Sequence, residues 1–303
     1  MKKITDLVKI TPDEENNLKQ NFIKKLEDKK FVSLINTLNC SDEVLMKYTS
    51  NLEDSSIEFD NCKNCKCLEE CKNKIPGYVY IPKEKNNTLI FEYLACPYQL
   101  REMKKNEYKE NIKLFETPKS LTEATIKNVY PDDKNRVEVI KYFKYFMDHY
   151  DDVEKPKGVY LYGSFGTGKS YLIAALFNEL AKKDISCAIV YVPEFLRLLK
   201  SSFDSDYEDK YNYIKKVPVL LLDDIGAENL TQWSRDEILG TILQYRMDEK
   251  LPTFFTSNLD LKQLEEHFSM TSSGIDKIKA RRIIERIAYL SKDFKLTSQN
   301  RRK

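Results

Sequence analysis

Residues 163 to 170 have the types and the spacing of a phosphate-binding loop. They match the pattern G-x-x-x-x-G-K-[ST] in full, in the order Gly163, Ser164, Phe165, Gly166, Thr167, Gly168, Lys169 and Ser170. Glycines let the backbone curl so that successive N–H groups converge on phosphate oxygens, and a helix that begins near Gly168 would direct its positive end at the same anion. We expect Lys169 to reach the β- and γ-phosphates and the Ser170 hydroxyl to bind Mg²⁺. The sequence therefore predicts a site for ATP with Mg²⁺.

Three further polar residues follow apolar runs of the sequence. Asp223 and Asp224 come at the end of VPVLLL, and Asn258 ends the run LPTFFTSN. Because the carboxyl ends of parallel strands gather the ligands of open α/β sheets, we expect all three near the phosphate loop. Asp223 would hold Mg²⁺ directly or through water, Asp224 would orient or deprotonate the attacking water, and Asn258 would contact the γ-phosphate or that water. The alternative for each is an ordinary polar turn after a strand.

The C-terminal stretch 277–303 contains ten Lys or Arg residues against two acids. Within it, apolar residues at helical spacing predict a helix that carries Arg282 and Arg286 on one face. One interpretation is a solvated basic surface. The other is that an arginine completes the ATP site of a neighbouring subunit and stabilises charge there. The residue pattern alone leaves both open.

Five of the seven cysteines lie close together, at positions 62, 65, 67, 71 and 96. A C-x₂-C pair with a distant cysteine partner has the spacing of a structural Zn²⁺ site, which needs four ligands. We favour Cys62, Cys65, Cys71 and Cys96, with Cys67 as the replacement for one of them. Buried free thiols and an iron–sulfur cluster are the alternatives.

Composition limits the class of protein. The chain has 303 residues, 41% of them apolar, with a formal charge of +2 that says nothing for or against nucleic acid as a partner. It contains no apolar run of 18 residues and no signal-peptide pattern, so we expect a cytoplasmic protein without a membrane segment. In that reducing compartment the cysteines are not expected to form disulfides.

The elements that must position these residues alternate along the second half of the chain. Strongly apolar runs at 158–163, 186–192, 217–225 and 251–258 are separated by helical patterns. Runs of this kind are typical of parallel strands covered on both faces. The sequence therefore predicts an α/β fold with a doubly wound parallel sheet flanked by helices.

Composition also predicts three regions along the chain. Residues 1–105 hold the cysteine cluster and helical patterning, residues 106–135 are polar and broken by Pro118 and Pro131, and residues 136–303 hold the alternating elements. The middle region is interpreted as a linker with a short helix.

The order of the phosphate loop, LLLDDIGAE, YRM followed by LPTFFTSN, and ARRIIERI resembles the bacterial AAA+ helicase loaders of the IstB/DnaC-like ATPase family. The resemblance covers most of the chain. It implies an AAA+ P-loop domain at 136–303 that binds ATP and single-stranded DNA and self-associates. It also implies a small, zinc-stabilised, mainly helical N-terminal domain at 1–105 that binds the hexameric replicative helicase. Other primosome proteins are implied as further partners, in replication initiation.

The resemblance also assigns roles within the site. The arginine of the E-R-I segment acts on a neighbouring subunit in related proteins, which favours Arg286 over Arg282. Asp224 stands where many AAA+ ATPases carry glutamate, and no lid domain is recognised after residue 290, so we expect slow hydrolysis of ATP to ADP and phosphate. No histidine lies in the cysteine cluster, although the family can use one as a zinc ligand. The remaining alternatives are a transposition helper ATPase and a metal-stabilised adaptor with a vestigial nucleotide site.

Overall fold

The computed structural model describes residues 12–126, 134–201, 205–271 and 274–297. The chain divides into two compact units, Met1–Asn106 and Glu107–Lys303. Parts of the three predicted regions, and the last six residues of the basic C-terminal stretch, lie outside the described residues. Within the described residues, no helix has the length and apolar character needed to cross a membrane.

The first unit combines helices with one hairpin. Its described elements are α1 (Pro12–Lys25), α2 (Lys29–Ile35), α3 (Asp42–Lys47), α4 (Thr49–Lys63), β1 (Tyr78–Lys85), β2 (Thr88–Ala95) and α5 (Pro97–Asn106). Phe31 and Leu52 lie at the centre of its apolar core. The buried carboxylate of Glu58 on α4 accepts hydrogen bonds from the N–H groups of Tyr80 (2.7 Å) and Lys74 (3.2 Å), and so ties the helix to the hairpin.

A β-hairpin with a two-residue turn interrupts the helices of the first unit. Strands β1 and β2 pair from Tyr78 opposite Ala95 to Lys85 opposite Thr88. The two residues between them, Asn86 and Asn87, have φ of 51° and 58°. Consecutive positive φ values define the turn that suits a two-residue hairpin, and asparagine tolerates them better than most residues. The sequence reasoning did not anticipate this hairpin.

The second unit is built on a six-stranded sheet. Its strands are β3 (Ile112–Phe115), β4 (Gly158–Gly163), β5 (Cys187–Tyr191), β6 (Val219–Asp223), β7 (Thr253–Ser257) and β10 (Ser291–Leu296), with a separate short pair β8 (Met270–Thr271) and β9 (Gly274–Ile275). The order across the sheet is β10-β4-β7-β6-β5-β3, and every neighbouring pair is parallel. The four predicted strands are the central four. The predicted α/β fold with a parallel sheet is confirmed.

Helices cover both faces of this sheet. They are α6 (Lys134–Asp148), α7 (Lys169–Ala181), α8 (Val192–Ser201), α9 (Ser205–Lys216), α10 (Gly240–Asp248), α11 (Leu261–Ser269) and α12 (Lys277–Leu290), with a π-helical turn at Ser234–Leu239 before α10. Alternate strand residues enter two separate apolar cores: Tyr160 packs under α10 to α12, and its neighbour Leu161 packs under α6 and α7. Burial on both faces is the reason why the central strands are continuously apolar.

The two edge strands were missed. Strand β3 lies inside the region 106–135 that was interpreted as a linker, and β10 follows α12. Strand β10 has the sequence SKDFKL, in which Lys292, Asp293 and Lys295 are exposed. Edge strands bury less surface than central ones and often carry charges that discourage further pairing. Their sequences therefore lack the apolar signal that identified the central strands.

A buried arginine fixes the amino ends of two central strands. Arg246 on α10 is fully buried, and its Nη1 donates to the carbonyl of Val217 (2.7 Å), just before β6. Its Nη2 donates to the carbonyl of Pro252 (2.9 Å) and its Nε to Thr253 Oγ1 (2.8 Å), at the start of β7. Burial lowers the pKa of this guanidinium to about 9, which leaves it charged at neutral pH. Arg246 thereby anchors the amino ends of β6 and β7, at the edge of the sheet opposite to their carboxyl ends.

Candidate nucleotide-binding site

The predicted phosphate loop joins β4 to α7 and needs glycine at two points. Gly163 has φ of 146°, and a Cβ at this position would lie 2.1 Å from the carbonyl oxygen of Leu296 on the neighbouring strand. Gly168 has φ of 82° and immediately precedes the first residue of α7, Lys169. A side chain would be strained at either position. The loop therefore delivers the N-terminus of α7 to the carboxyl edge of the sheet, as predicted.

Lys169 lies at the junction of the loop and the sheet. Its side chain is largely buried, and its Nζ donates to the carbonyls of Gly163 (2.8 Å) and Ser164 (3.0 Å) and to Asn258 Oδ1 (2.9 Å). The ammonium group thus lies between the ends of β4 and β7. This is a position from which a flexible lysine can reach an anion held by the loop.

Asp223 ends β6 and is held by two hydroxyl groups. Thr256 Oγ1 donates to Asp223 Oδ1 (2.6 Å), and the Ser170 hydroxyl also bonds to this carboxylate. Burial raises the pKa of Asp223, and the negative charge of Asp224 adds to that effect; the two hydroxyl bonds and the charge of Lys169 oppose it. A buried carboxylate beside a serine hydroxyl is a suitable pair of oxygen ligands for Mg²⁺.

Asn258 links the lysine to the second aspartate. Its Nδ2 donates to Asp224 Oδ1 (3.0 Å), while its Oδ1 accepts from Lys169. Asp224 has φ of 58°, and its N–H donates to Thr256 Oγ1 (2.8 Å). The structure thus brings together the lysine, both aspartates and the asparagine that the sequence placed at three separate strand ends.

These residues line one cavity of about 860 Å³. Its wall includes every loop residue from Phe165 to Ser170, together with Asp223, Asp224 and Asn258. A volume of this order suits a ligand of the size of a nucleotide. Gly163 and Ser164 are not among the described residues that line it, although their carbonyls accept from Lys169.

Sequence reasoning missed the part of the cavity wall that follows β3. Glu116, Pro118 and Leu121, which follow β3, lie there. The segment is fixed to α7 by the buried Asn178, whose Nδ2 donates to the carbonyls of Ala124 (2.7 Å) and Leu121 (3.1 Å). Since these contacts join residues more than 50 positions apart, no local pattern could have indicated them.

Arg282 and Arg286 lie on α12, as predicted, but do not belong to the described lining of this cavity. Arg286 is half-buried, and its Nη1 donates to the carbonyl of Gly240 on α10 (2.9 Å). Arg282 is exposed. Action of either arginine on a second subunit stays a prediction.

The predicted zinc ligands extend from Cys62, near the end of α4, to Cys96, directly before α5, in the first unit. Three of their sulfurs accept N–H bonds: Cys62 from Asn73 Nδ2 (3.4 Å), Cys71 from Gly77 (3.3 Å) and Cys96 from Gln99 (3.4 Å). Burial and then the charges of the other three sulfurs raise the pKa of the Cys62 thiol, which the bond from Asn73 opposes. Nevertheless, among the residues that the structure describes, no group of three or more His, Cys, Asp or Glu is placed to hold a metal ion. The structure gives the zinc prediction no support.

Comparisons with known proteins identify a family described as ATP-binding, which agrees with the geometry of the nucleotide site. Residues 99–302 match the family of IstB-like ATP binding proteins. The chain is 37% identical to the replicative helicase loader DnaI of Bacillus subtilis over 295 residues, which cover 96% of this chain and 95% of that protein.

Two solved structures are similar as well. A crystal structure of DnaI covers 65% of this chain and 100% of its own, with 47% identity and a TM-score of 0.58. A crystal structure of a putative primosome component from Streptococcus pyogenes covers 66% of this chain and 100% of its own, with 38% identity and a TM-score of 0.56. The chain therefore belongs to the IstB-like family of ATP-binding AAA+ proteins, in the group that contains DnaI.

Proposed function

We propose that this protein is an ATP-dependent loader of the replicative DNA helicase, acting in replication initiation and primosome assembly. The observation that carries the proposal is the similarity to a helicase loader along 96% of the chain, so that both units are shared. A likeness limited to the nucleotide-binding unit would fit many other AAA+ proteins equally well.

The nucleotide site supports binding of ATP with Mg²⁺. The loop N–H groups and the start of α7 would bind the phosphates, and Lys169 would move from the loop carbonyls to the β- and γ-phosphates. Ser170 and Asp223 would hold Mg²⁺, which supplies charge neutralisation when bound. Asp224, oriented by Asn258, would position the attacking water. Aspartate reaches less far than glutamate, so we expect slow hydrolysis to ADP and phosphate.

The two units would have separate tasks. We propose that residues 1–105 engage the helicase, and that residues 136–303, together with β3 and the cavity-lining segment that follows it, bind ATP and single-stranded DNA. The exposed lysines and arginines of α12 support the DNA part of this proposal, because phosphate contacts require positive charge. Affinity for a single strand should then fall as salt increases, and a salt-independent affinity would contradict it.

Zinc is the least supported cofactor of this proposal. Its support is the sequence alone, in which a C-x₂-C pair is followed by further cysteines at the spacing of a structural zinc site. Elemental analysis of the purified chain should find about one zinc ion per molecule. The double variant Cys62→Ser, Cys96→Ser should lose it, and a wild-type chain without metal would refute the proposal.

The loading function is tested by reconstitution. The full chain, the partner helicase and a circular single strand are mixed with ATP, and the helicase retained on DNA is measured. Lys169→Ala should weaken ATP binding by at least about 100-fold and reduce loading in parallel. Unchanged loading by this variant would favour an adaptor with a vestigial nucleotide site. Failure of the wild-type chain to bind any helicase would refute the loader function.

A further inference from the structure

Arg136 is a buried arginine at the nucleotide site that belongs to no recognised motif. It lies in the first turn of α6, is 3% exposed and lines the same cavity as Lys169. Its Nη2 donates to the carbonyl oxygen of Thr167 at 2.6 Å. Its Nη1 lies 4.0 Å from the point where a Cβ on Gly168 would stand. The guanidinium therefore packs against the Thr167–Gly168 peptide, in the turn that leads into α7.

The orientation of the Thr167–Gly168 peptide determines the direction in which the Gly168 N–H can donate a hydrogen bond. In a trans peptide the N–H points away from the C=O, so a donor fixed on the Thr167 carbonyl also fixes the direction of the Gly168 N–H. Gly168, with φ of 82°, has no side chain that would restrict its own rotation. The Thr167 hydroxyl donates to the Ser164 carbonyl (3.0 Å), within the loop itself. Arg136 thus supplies a brace that reaches the loop from another element.

The charge of Arg136 matters as well as its hydrogen bond. A buried cation is costly unless an anion or several acceptors compensate it. This one lies within the lining of a cavity whose other cation, Lys169, is the residue expected to bind phosphate. A polyphosphate bound there would experience both positive charges in a partly desolvated setting, where attraction is stronger than in water.

We infer that Arg136 is a positioning residue of the nucleotide site. It holds the Thr167–Gly168 peptide in the orientation that binds phosphate, and its charge adds to the attraction for the polyphosphate. The inference rests on the proposed binding of ATP and extends it to a residue 27 positions upstream of the motif. The affinities for ATP and for ADP should depend on Arg136 alike, because both nucleotides carry the α- and β-phosphates that the loop would bind.

The test compares Arg136→Gln and Arg136→Lys with the wild-type full chain. Isothermal titration should show Arg136→Gln weakening both ATP and ADP by about 10- to 100-fold, the range expected for loss of a charge-assisted hydrogen bond. Arg136→Lys keeps the charge but not the planar fork, so its affinities should fall between those of the other two proteins. Should Arg136→Gln fail to fold, Arg136→Lys carries the test.

The control is Arg235→Gln. Arg235 is equally buried and donates to the carbonyl of Phe268 (3.1 Å), but it does not belong to the described lining of the cavity. Its loss should lower the melting temperature of the nucleotide-free protein and leave ATP affinity within about twofold. Arg136 variants that bind ATP as wild type does, or an equal loss of affinity in Arg235→Gln, would overturn the inference. A wild-type chain that binds no ATP would instead overturn the proposed function.

Discussion

At the scale of single residues, the site depends on an amide that serves two partners. Asn258 accepts from Lys169 and donates to Asp224 at the same time. The amide of asparagine carries both a strong donor and a strong acceptor on one planar group. Asn258 therefore connects the cation that would bind phosphate to the carboxylate that would orient water.

Replacing Asn258 by aspartate should break the link between Lys169 and Asp224. In Asn258→Asp the donor to Asp224 is lost and two carboxylates face each other, so Asp224 would be displaced or protonated. Single-turnover hydrolysis of ATP should slow by about 10- to 100-fold. Asn111→Asp, which changes an amide remote from the cavity, should hydrolyse ATP at the wild-type rate. Equal rates for Asn258→Asp and wild type would remove Asn258 from the mechanism.

Asp223 should give the nucleotide-free protein a distinct pH dependence. Burial raises the pKa of Asp223 above 3.8, so the ionised carboxyl costs stability at neutral pH, and this cost disappears as pH falls through the raised pKa. Asp223→Asn should therefore raise the melting temperature at about pH 7 and change it less at about pH 4. The same variant should lose the Mg²⁺-dependent part of ATP affinity. A variant less stable than wild type at both pH values would contradict this account.

The residues of the site differ in how well the sequence predicted them. Residues of a continuous motif or a strand end were predictable, and residues that bind a remote backbone carbonyl were not. Lys169 and Ser170 were identified because the loop is one continuous string with a known geometry. Asp223 and Asn258 could be added because strand ends meet at one edge of a parallel sheet. Arg136 and Asn178 could not, since each acts on a backbone carbonyl of a segment more than 30 residues away. Every residue has a backbone carbonyl, so the amino-acid sequence does not indicate which carbonyl a remote side chain will bind.

At the scale of elements, Arg246 shows how a helix controls strand ends. It donates to carbonyls that precede β6 and β7. The central strands were predictable from their apolar runs, whereas this arginine was seen only as part of a family motif. The edge strands β3 and β10 were not predictable because their sequences are short or charged.

Removal of the Arg246 side chain should destabilise the second unit strongly. Arg246→Met leaves several buried carbonyls without a donor, which should cost more than about 3 kcal/mol. For a unit of this size the melting temperature should fall by roughly 6 to 12 °C. Thermal unfolding followed by circular dichroism measures it, with Arg197→Met on the exposed part of α8 as the control. A shift as small as that of the control would contradict the proposed role.

At the scale of the whole molecule, the prediction to test is that one subunit completes the ATP site of another. Arg286 contacts Gly240 in its own chain, so a structural role and a role in a neighbouring site must be separated. Self-association through the AAA+ domain would allow the second role.

Mixing two impaired variants separates a structural role of Arg286 from a role in the ATP site of a neighbouring subunit. Arg286→Ala should reduce ATP turnover by about tenfold or more while ATP affinity stays within about twofold. A mixture of Arg286→Ala with Lys169→Ala should recover part of the turnover, because some interfaces then combine an intact Lys169 with an intact Arg286. Arg282→Ala serves as the control. A mixture no more active than its components would place Arg286 in a structural role only.

The contact between Gly163 and the Leu296 carbonyl has a consequence for synthesis of the protein. The first residue of the phosphate loop is shaped by a strand that the ribosome makes 133 residues later. Until β10 has emerged, β4 lacks one neighbour, and the loop lacks the wall against which it turns. Long-range parallel pairing of this kind forms late. A nascent chain should therefore gain nucleotide binding only when β10 is free of the ribosome, although every residue of the motif was translated long before.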